Sequence, residues 1–367
     1  MYVASPSTSH DPLQPLPVNQ RTVRHAPLEA WYTPLPARAV GSGKTKPVFL
    51  HGDALFVCRA RDGALSAFAD RCPHRGARLS DGACEGDEVV CPFHGWRFSL
   101  RDGSLSAAPA VAPDLPEKRP RLLSRPVREA FGRIWIYTGT GDPDRASPIL
   151  EAPSLDPTRG PAVTAVVPVS ADYDLCAMSF FDPAHVPFVH TSAWFGRNGK
   201  SPKLKAKTFV PRPWGFTMRA DDSGLAMPAG IYRLLGAAPD IEIAYLLPAT
   251  RIETIRAGRR VIVNVTTAIP RAVGQCDLVN LIYGNVPGLS FAAPVAERLG
   301  RRFLDQDRVV LESAQAGRRQ GGGMMFIGDA DVPAQWILRS LKAYEAAMRD
   351  RTPFKNPAQE RILYWRT

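Results

Sequence analysis

Four of the chain's seven histidines fall inside two short signatures roughly a hundred residues apart. The first reads Cys72-Pro-His74, then sixteen residues, then Cys91-Pro-Phe-His94; the second reads Asp182-Pro-Ala-His185-Val-Pro-Phe-Val-His190. Ordinary core or surface usage does not concentrate histidine in this way, so metal chemistry is the first reading. The fold is constrained too, because two separate loops have to present one Cys and one His each to a common centre.

A [2Fe–2S] cluster normally takes four thiolates; exchanging two of them for neutral imidazoles on one iron removes negative charge and raises the reduction potential. Cys72, His74, Cys91 and His94 form that donor set, with Pro73, Gly76, Pro92 and Gly95 suited to tight loops. Two Cys and two His also make a zinc site, whose usual spacing groups the two Cys and then the two His. The mixed Cys-x-His and Cys-x-x-His pairs fit zinc less well.

The strings Arg71-Cys-Pro-His-Arg-Gly-Ala77 and Cys91-Pro-Phe-His-Gly-Trp-Arg-Phe98 resemble the two cluster-binding loops of the Rieske non-haem iron aromatic-ring-hydroxylating oxygenases, alpha subunit. Trp31-Tyr32 and Gly132-Arg-Ile-Trp-Ile-Tyr137 resemble the opening and closing strands of that family's Rieske domain. Respiratory Rieske proteins carry a disulfide beside the cluster; Ala77 and Phe93 stand at those places here, which favours the oxygenase type. The resemblance implies a Rieske [2Fe–2S] cluster on Cys72, His74, Cys91 and His94.

The second signature is similar to the family's mononuclear iron site. Non-haem Fe(II) oxygenases hold iron with two His and one carboxylate, leaving open positions for dioxygen and substrate. The resemblance makes His185 and His190 two of these ligands. Five residues along a regular helix is a turn of about 140°, so the two do not share one helix face, and Pro187 is expected to bend or end the helix between them. A pair of histidines at a helix end is the plain alternative.

The carboxylate is expected within residues 301–315. Phe303, Asp307, Val310, Leu311 and Ala314 share one face of a helical wheel, while Asp305 sits with Arg301, Arg302, Arg308 and Glu312 on the polar side. An acid on an apolar stripe is costly unless paired or metal-bound. That selects Asp307, with Asp305 as the fallback, and the family carries its ligating Asp in the matching run.

Asp182 is not a ligand in this family. The resemblance implies that it bridges a cluster His of one subunit and an iron His of the next in a head-to-tail homotrimer, giving a path from His94 through Asp182 to His185. Capping or buttressing the helix is the plain alternative for Asp182. Many relatives carry Asn three residues earlier, where this chain has Ser179.

The chain's 367 residues exceed one ordinary domain, and 45% of them are hydrophobic, enough for two cores. No apolar run approaches the length of about twenty needed for a spanning helix. The most apolar late stretch, residues 280–299, is broken by Pro287 and Pro294 and reads as a strand and loop near a pocket. A charged-then-apolar signal pattern is missing from the first residues, so a cytoplasmic location is expected. Cys58, Cys84, Cys176 and Cys276 are scattered, as buried thiols of a reducing compartment are. The C-terminal Cys-x-x-Cys of plant pheophorbide a oxygenases does not occur.

A net charge of +11 invites a nucleic-acid reading, yet the excess is dispersed Arg without interleaved aromatics or a binding signature. An acidic ferredoxin or a flavin reductase is the expected partner, docking on Arg71, Arg75, Arg78 and Arg97. Simple solubility is the alternative for these arginines. No Gly-x-Gly-x-x-Gly turn is present, so NAD(P)H is expected to act only through a separate reductase.

The expected fold is α+β. Residues 1–26 read as a flexible or peripheral arm, 27–140 as an antiparallel all-β Rieske domain, 141–162 as a linker rich in Gly, Asp and Pro, and 163–367 as a catalytic domain carrying mononuclear iron. That second domain is expected to be helix-grip-like, an antiparallel sheet with helices near 297–318 and 333–350. The implied function is a terminal oxygenase that hydroxylates, demethylates or oxidatively cyclises a hydrophobic aromatic or pyrrole-type small molecule with O2. The second signature lies nearest the pheophorbide a oxygenase and vanillate demethylase-like branch. Phe180, Phe181, Phe188, Trp194, Phe195, Met324, Met325 and Phe326 are candidates for an aromatic pocket and equally for core packing. An N-oxygenase of secondary metabolism, an electron-transfer protein and a scaffold with a degraded iron site are the other readings; electron transfer alone would need only the first motif.

Overall fold

A computed structural model describes residues 25–109, 119–190, 204–219, 239–321 and 323–366. Most of the N-terminal arm, with Trp194 and Phe195, therefore lies outside the described residues. In the first part, β1 (Trp31–Pro36), β2 (Lys44–Leu50), β3 (Asp53–Arg59), β4 (Leu65–Ala69), β5 (Ala83–Glu85), β6 (Glu88–Val90), β7 (Arg97–Ser99), β8 (Leu105–Ala107), β9 (Ser124–Arg125), β10 (Val127–Ala130) and β11 (Arg133–Tyr137) build three small antiparallel sheets. Their orders are β1-β11-β10, β2-β3-β4-β9 and β5-β6-β7-β8. The opening and closing strands pair directly, Trp31 opposite Tyr137. The Arg61-Asp-Gly and Arg101-Asp-Gly turns join β3 to β4 and β7 to β8, as their composition dictates.

In the second part, β12 (Val163–Val169), β13 (Leu204–Arg212), β14 (Gly215–Met218), β15 (Asp240–Leu246), β16 (Thr250–Ala257), β17 (Arg260–Ala272), β18 (Gln275–Gly284) and β19 (Arg361–Arg366) form one antiparallel sheet, ordered β12-β18-β17-β16-β15-β14-β13-β19. Helices α1 (Tyr173–Ser179), α2 (Val186–Val189), α3 (Ala293–Arg319) and α4 (Val332–Arg349) complete the α+β architecture. Helix α3 lies against β12, and α1 packs on α3, α4, β17 and β18. Phe181 sets its edge on Phe216 at 4.9 Å, and Trp336 of α4 meets Phe216 at 5.5 Å, so aromatic packing fixes the helical layer on the sheet.

Several local expectations shift. Helix α3 begins at Ala293 with Pro294 in its first turn, where a missing N–H costs nothing, so the later part of 280–299 is helix rather than loop. Val310 and Ala314 face solvent, and Leu304 and Gln315 are buried in their place. An ideal 3.6-residue helix puts residues 303, 307, 310, 311 and 314 on one face, whereas packing against α1 and β12 selects a stripe rotated by about one residue.

The two parts share one hydrophobic core that holds Tyr32, Val57 and Ile134 together with Tyr173, Val263 and Trp336. Backbone bonds lock them as well: His51 and Gly52 amides donate to the carbonyls of Pro270 and Arg271 at 2.8 and 2.7 Å. Residues between β11 and β12 are packed rather than free, since Leu150 and Ala152 enter the shared core and the Ser147 amide donates to Tyr344 Oη at 3.1 Å.

Candidate metal centres

The Cys72 and Cys91 loops repeat one hydrogen-bond pattern. Each Cys amide donates to the carbonyl five residues on, Ala77 and Trp96, and each Cys carbonyl accepts from the amide four residues on, Gly76 and Gly95. Gly76 and Gly95 sit at φ +80° and +68°, a backbone region open to glycine at little cost and the reason both loops need it. Both cysteines are buried, and the His74 and His94 rings lie 4.5 Å apart, with Trp96 stacked on His74 at 4.6 Å.

Nδ1 of His74 and Nδ1 of His94 are buried and, among the described residues, have no hydrogen-bond partner. Buried polar atoms normally find partners, so two facing orphan nitrogens beside two buried thiols fit a metal group held between the loops. Burial, aided by Cys91, pushes the Cys72 thiol up to about 11. A protonated thiol ligates poorly, and a bound metal would deprotonate it. Zinc and [2Fe–2S] both accept this donor set. The four-atom grouping with one Cys and one His per loop suits a diiron centre better.

Of the nearby arginines, Arg71, Arg75 and Arg78 are exposed. Arg97, the fourth expected docking residue, pairs with Glu85 at 2.6 Å and Glu88 at 3.3 Å, because β7 lies beside β6 and turns the side chain onto that acidic hairpin.

The second signature forms no continuous helix. Helix α1 ends at Ser179, whose hydroxyl donates back to the Cys176 carbonyl at 2.8 Å. The chain then turns, and the short α2 spans only Val186–Val189, with His185 and His190 at its two ends. Pro187 begins this helix rather than ending one, since its fixed φ suits the first turn. Asp182 Oδ1 accepts the Ala184 amide at 2.8 Å and stabilises the turn; its side chain stays 42% exposed and so can reach beyond its own chain.

His185 and His190 meet Asp307 of α3. Their Nε2 atoms stand 3.7 and 3.4 Å from Asp307 Oδ1, and one ligand atom from each of the three lies within 4.8 Å of the others. The other ring nitrogens are spoken for: His185 Nδ1 bonds the Asp182 carbonyl at 2.8 Å and His190 Nδ1 bonds Gln306 Oε1 at 3.0 Å. A carbonyl oxygen can only accept, so both rings carry hydrogen on Nδ1 and turn the Nε2 lone pair to the centre. Phe303 stacks on His190 at 3.7 Å and stiffens it.

Burial lowers His190 to about 4 and lowers His185, while it raises Asp307 to about 7 against the opposing field of Arg251. Two neutral imidazoles and an acid only about half ionised at neutral pH form a site that a divalent ion would ionise and fill. Asp305 points to solvent and pairs with Arg308 at 2.7 Å, which leaves the fallback far from this centre. Gln306 escaped sequence reasoning; a polar residue beside an inward acid on a helix was the only available signal.

The proposed aromatic pocket is only partly assembled by the described residues. Phe180 and Phe181 are buried core residues, whereas Phe188, Met324 and Met325 are exposed. Cys58, Cys176 and Cys276 are buried free thiols, and Cys84 is a half-buried one. No described helix is long and apolar enough to cross a membrane.

A family model for the Rieske [2Fe-2S] domain matches residues 30–126. Pheophorbide a oxygenase of Arabidopsis thaliana is 32% identical over 44% of this chain and 32% of its own length. The terminal oxygenase component CarAa of carbazole 1,9a-dioxygenase from Metapseudomonas resinovorans is 27% identical over 56% of this chain and 53% of its own. The chain thus spans well under two thirds of these curated relatives. A solved carbazole-bound oxygenase in complex with its ferredoxin matches with a TM-score of 0.63 at 18% identity, covering 88% of this chain and 92% of that one, which is a likeness of fold.

Proposed function

Because this chain belongs to the Rieske non-haem iron aromatic-ring-hydroxylating oxygenases, we propose that it is a terminal oxygenase for a hydrophobic aromatic or pyrrole-type small molecule. The observation that carries the reading is the convergence of His185, His190 and Asp307, from segments more than a hundred residues apart, in a chain that also pairs two Cys/His loops. Cys72, His74, Cys91 and His94 would hold the [2Fe–2S] cluster, and His185, His190 and Asp307 the mononuclear iron. Bound there, these groups supply electron storage and the activation of O2.

The chain's own residues prepare both sites. Gln306 and the Asp182 carbonyl fix the tautomers of the two iron histidines. The exposed Asp182 carboxylate is available to His94 of a neighbouring subunit in a head-to-tail homotrimer, and it is the natural bridge for electrons. Arg71, Arg75 and Arg78 offer a cationic rim beside the cluster loops to an acidic ferredoxin or flavin reductase that draws on NAD(P)H. The ferredoxin complex of the carbazole oxygenase supports that class of partner.

Anaerobic reconstitution tests the reading. About three irons per chain and a rhombic paramagnetic signal on reduction are expected. Asp307→Ala should lose about one iron and keep the signal, whereas Cys72→Ser should lose the signal. Oxygen uptake with a surrogate ferredoxin and reductase, across aromatic and tetrapyrrole compounds, then finds the substrate. Preparations that never bind the mononuclear iron would overturn the proposal.

A further inference from the structure

The sheet face beneath the iron triad is polar where a purely hydrophobic substrate would want hydrocarbon. Antiparallel pairing sets Phe216, Tyr245, Arg251, Thr266, Asn280 and Ala165 in one row across the sheet, and Glu253 and Asn264 in the adjacent row. Directly paired residues share a face. This face is the one α3 covers, since a Cβ added at Gly300 would sit 3.3 Å from the Ala165 side chain and 3.8 Å from Asn280 Oδ1.

The polar groups form a chain of bonds. Arg251 Nη1 donates to Glu253 Oε2 at 3.0 Å, Asn264 Nδ2 donates to the same oxygen at 3.4 Å, and Asn280 Nδ2 donates to Asn264 Oδ1 at 2.6 Å. Glu253 is 7% exposed and Arg251 22%. A buried ion pair seldom stabilises a fold more than apolar residues of the same volume, so its presence here needs another cause. Among the described residues Arg251 spends one N–H on Glu253, and a guanidinium has five. Gly300 of α3 lies over Ala165 and Asn280 of the same row, and Asp307 follows about two turns later on that helix, which brings the row under the helix that carries the acid.

We infer that Arg251, oriented by Glu253 and Asn264, binds an acceptor oxygen on the substrate, so that the molecule oxidised is an aromatic bearing a carboxylate or carbonyl rather than a plain hydrocarbon. The inference rests on the oxygenase reading and narrows its substrate class. The bond from Glu253 fixes the guanidinium on this face of the sheet.

The test measures binding to the iron-loaded holoprotein by ligand-detected NMR, with benzoate, benzamide and toluene as probes. Wild type should hold benzoate or benzamide at least about tenfold tighter than toluene, the worth of one charge-assisted hydrogen bond. Arg251→Gln should erase that preference and leave toluene binding unchanged. Glu253→Gln, which frees the cation, should strengthen benzoate further and spare toluene. Benzoate and benzamide differ in charge, so their ranking separates a carboxylate from a carbonyl. Equal binding of all three probes, or Arg251→Gln weakening all three alike, would overturn the inference. Iron content and the rhombic signal of the same samples report on the oxygenase reading separately, because full iron loading without a probe preference condemns Arg251 alone.

Discussion

Arg318 near the end of α3 grips Asp174 of α1 with two parallel hydrogen bonds, Nη1 to Oδ1 at 2.8 Å and Nη2 to Oδ2 at 2.7 Å. Asp174 is 1% exposed and Arg318 14%, and Asp172 and Gln315 extend the contact. Asp307 lies three helical turns before Arg318, and His185 lies eleven residues after Asp174. The pair therefore sets the register between the helix that carries the acid and the segment that carries the histidines. Neither residue touches the centre.

Breaking a buried ion pair from one side leaves a lone charge, at a cost of about 3–5 kcal/mol. Arg318→Ala is expected to destabilise the protein by that amount in denaturant titration and to lower mononuclear iron occupancy while the cluster signal stays. Unchanged stability would remove Arg318 from this role.

His51 carries the clearest pH signature. It is buried against Tyr32 at the seam between the two parts, and burial lowers it to about 3 despite the nearby Pro27 carbonyl. An unfolded His takes its proton near 6.5, so between about pH 6.5 and 3 the unfolded chain binds more protons and stability falls as the pH drops. The loss attributable to His51 from pH 7 to 5 should reach about 2 kcal/mol. His51→Asn, which tolerates the positive φ at this turn, should flatten the acid limb of the melting-temperature profile.

Mononuclear metal uptake should also depend on pH. Asp307 must lose its proton to ligate, and burial holds it near 7 in the metal-free chain, whereas His190 is neutral down to about 4. Affinity for Fe(II) or Co(II) should fall steeply below about pH 7, with about one proton released per metal bound. A flat profile from pH 6 to 8 in calorimetry would contradict this.

Asp182→Asn should keep the turn, since the amide oxygen can still accept the Ala184 amide. Its half-exposed position predicts a stability change within about 0.5 kcal/mol. Cluster reduction and iron content should be normal, and reoxidation of the reduced cluster in single turnover should slow by at least about a hundredfold if the carboxylate is the bridge.

Charge reversal at Arg75 and Arg78 should slow cluster reduction by an acidic ferredoxin by about tenfold at low salt, with the difference fading as salt rises. Arg97→Glu is the contrast. It faces Glu85 and Glu88, so it should cost stability through like charges and little in docking.

The sequence by itself determined the candidate ligand residues and the order of the parts. Cys72, His74, Cys91, His94, His185 and His190 sit at fixed spacings, and covalent spacing survives in one dimension. Asp307 was legible because an acid on an apolar helical stripe demands a partner. Tertiary structure alone decided that Gln306 orients His190, that Arg97 turns onto Glu85 and Glu88, and that Phe181 belongs to the core. It also set Arg251, Thr266 and Asn280 in one row, a matter of strand register across three strands. Register depends on how whole strands and helices pack, and residues a dozen or more apart along the chain become neighbours only when that packing is complete.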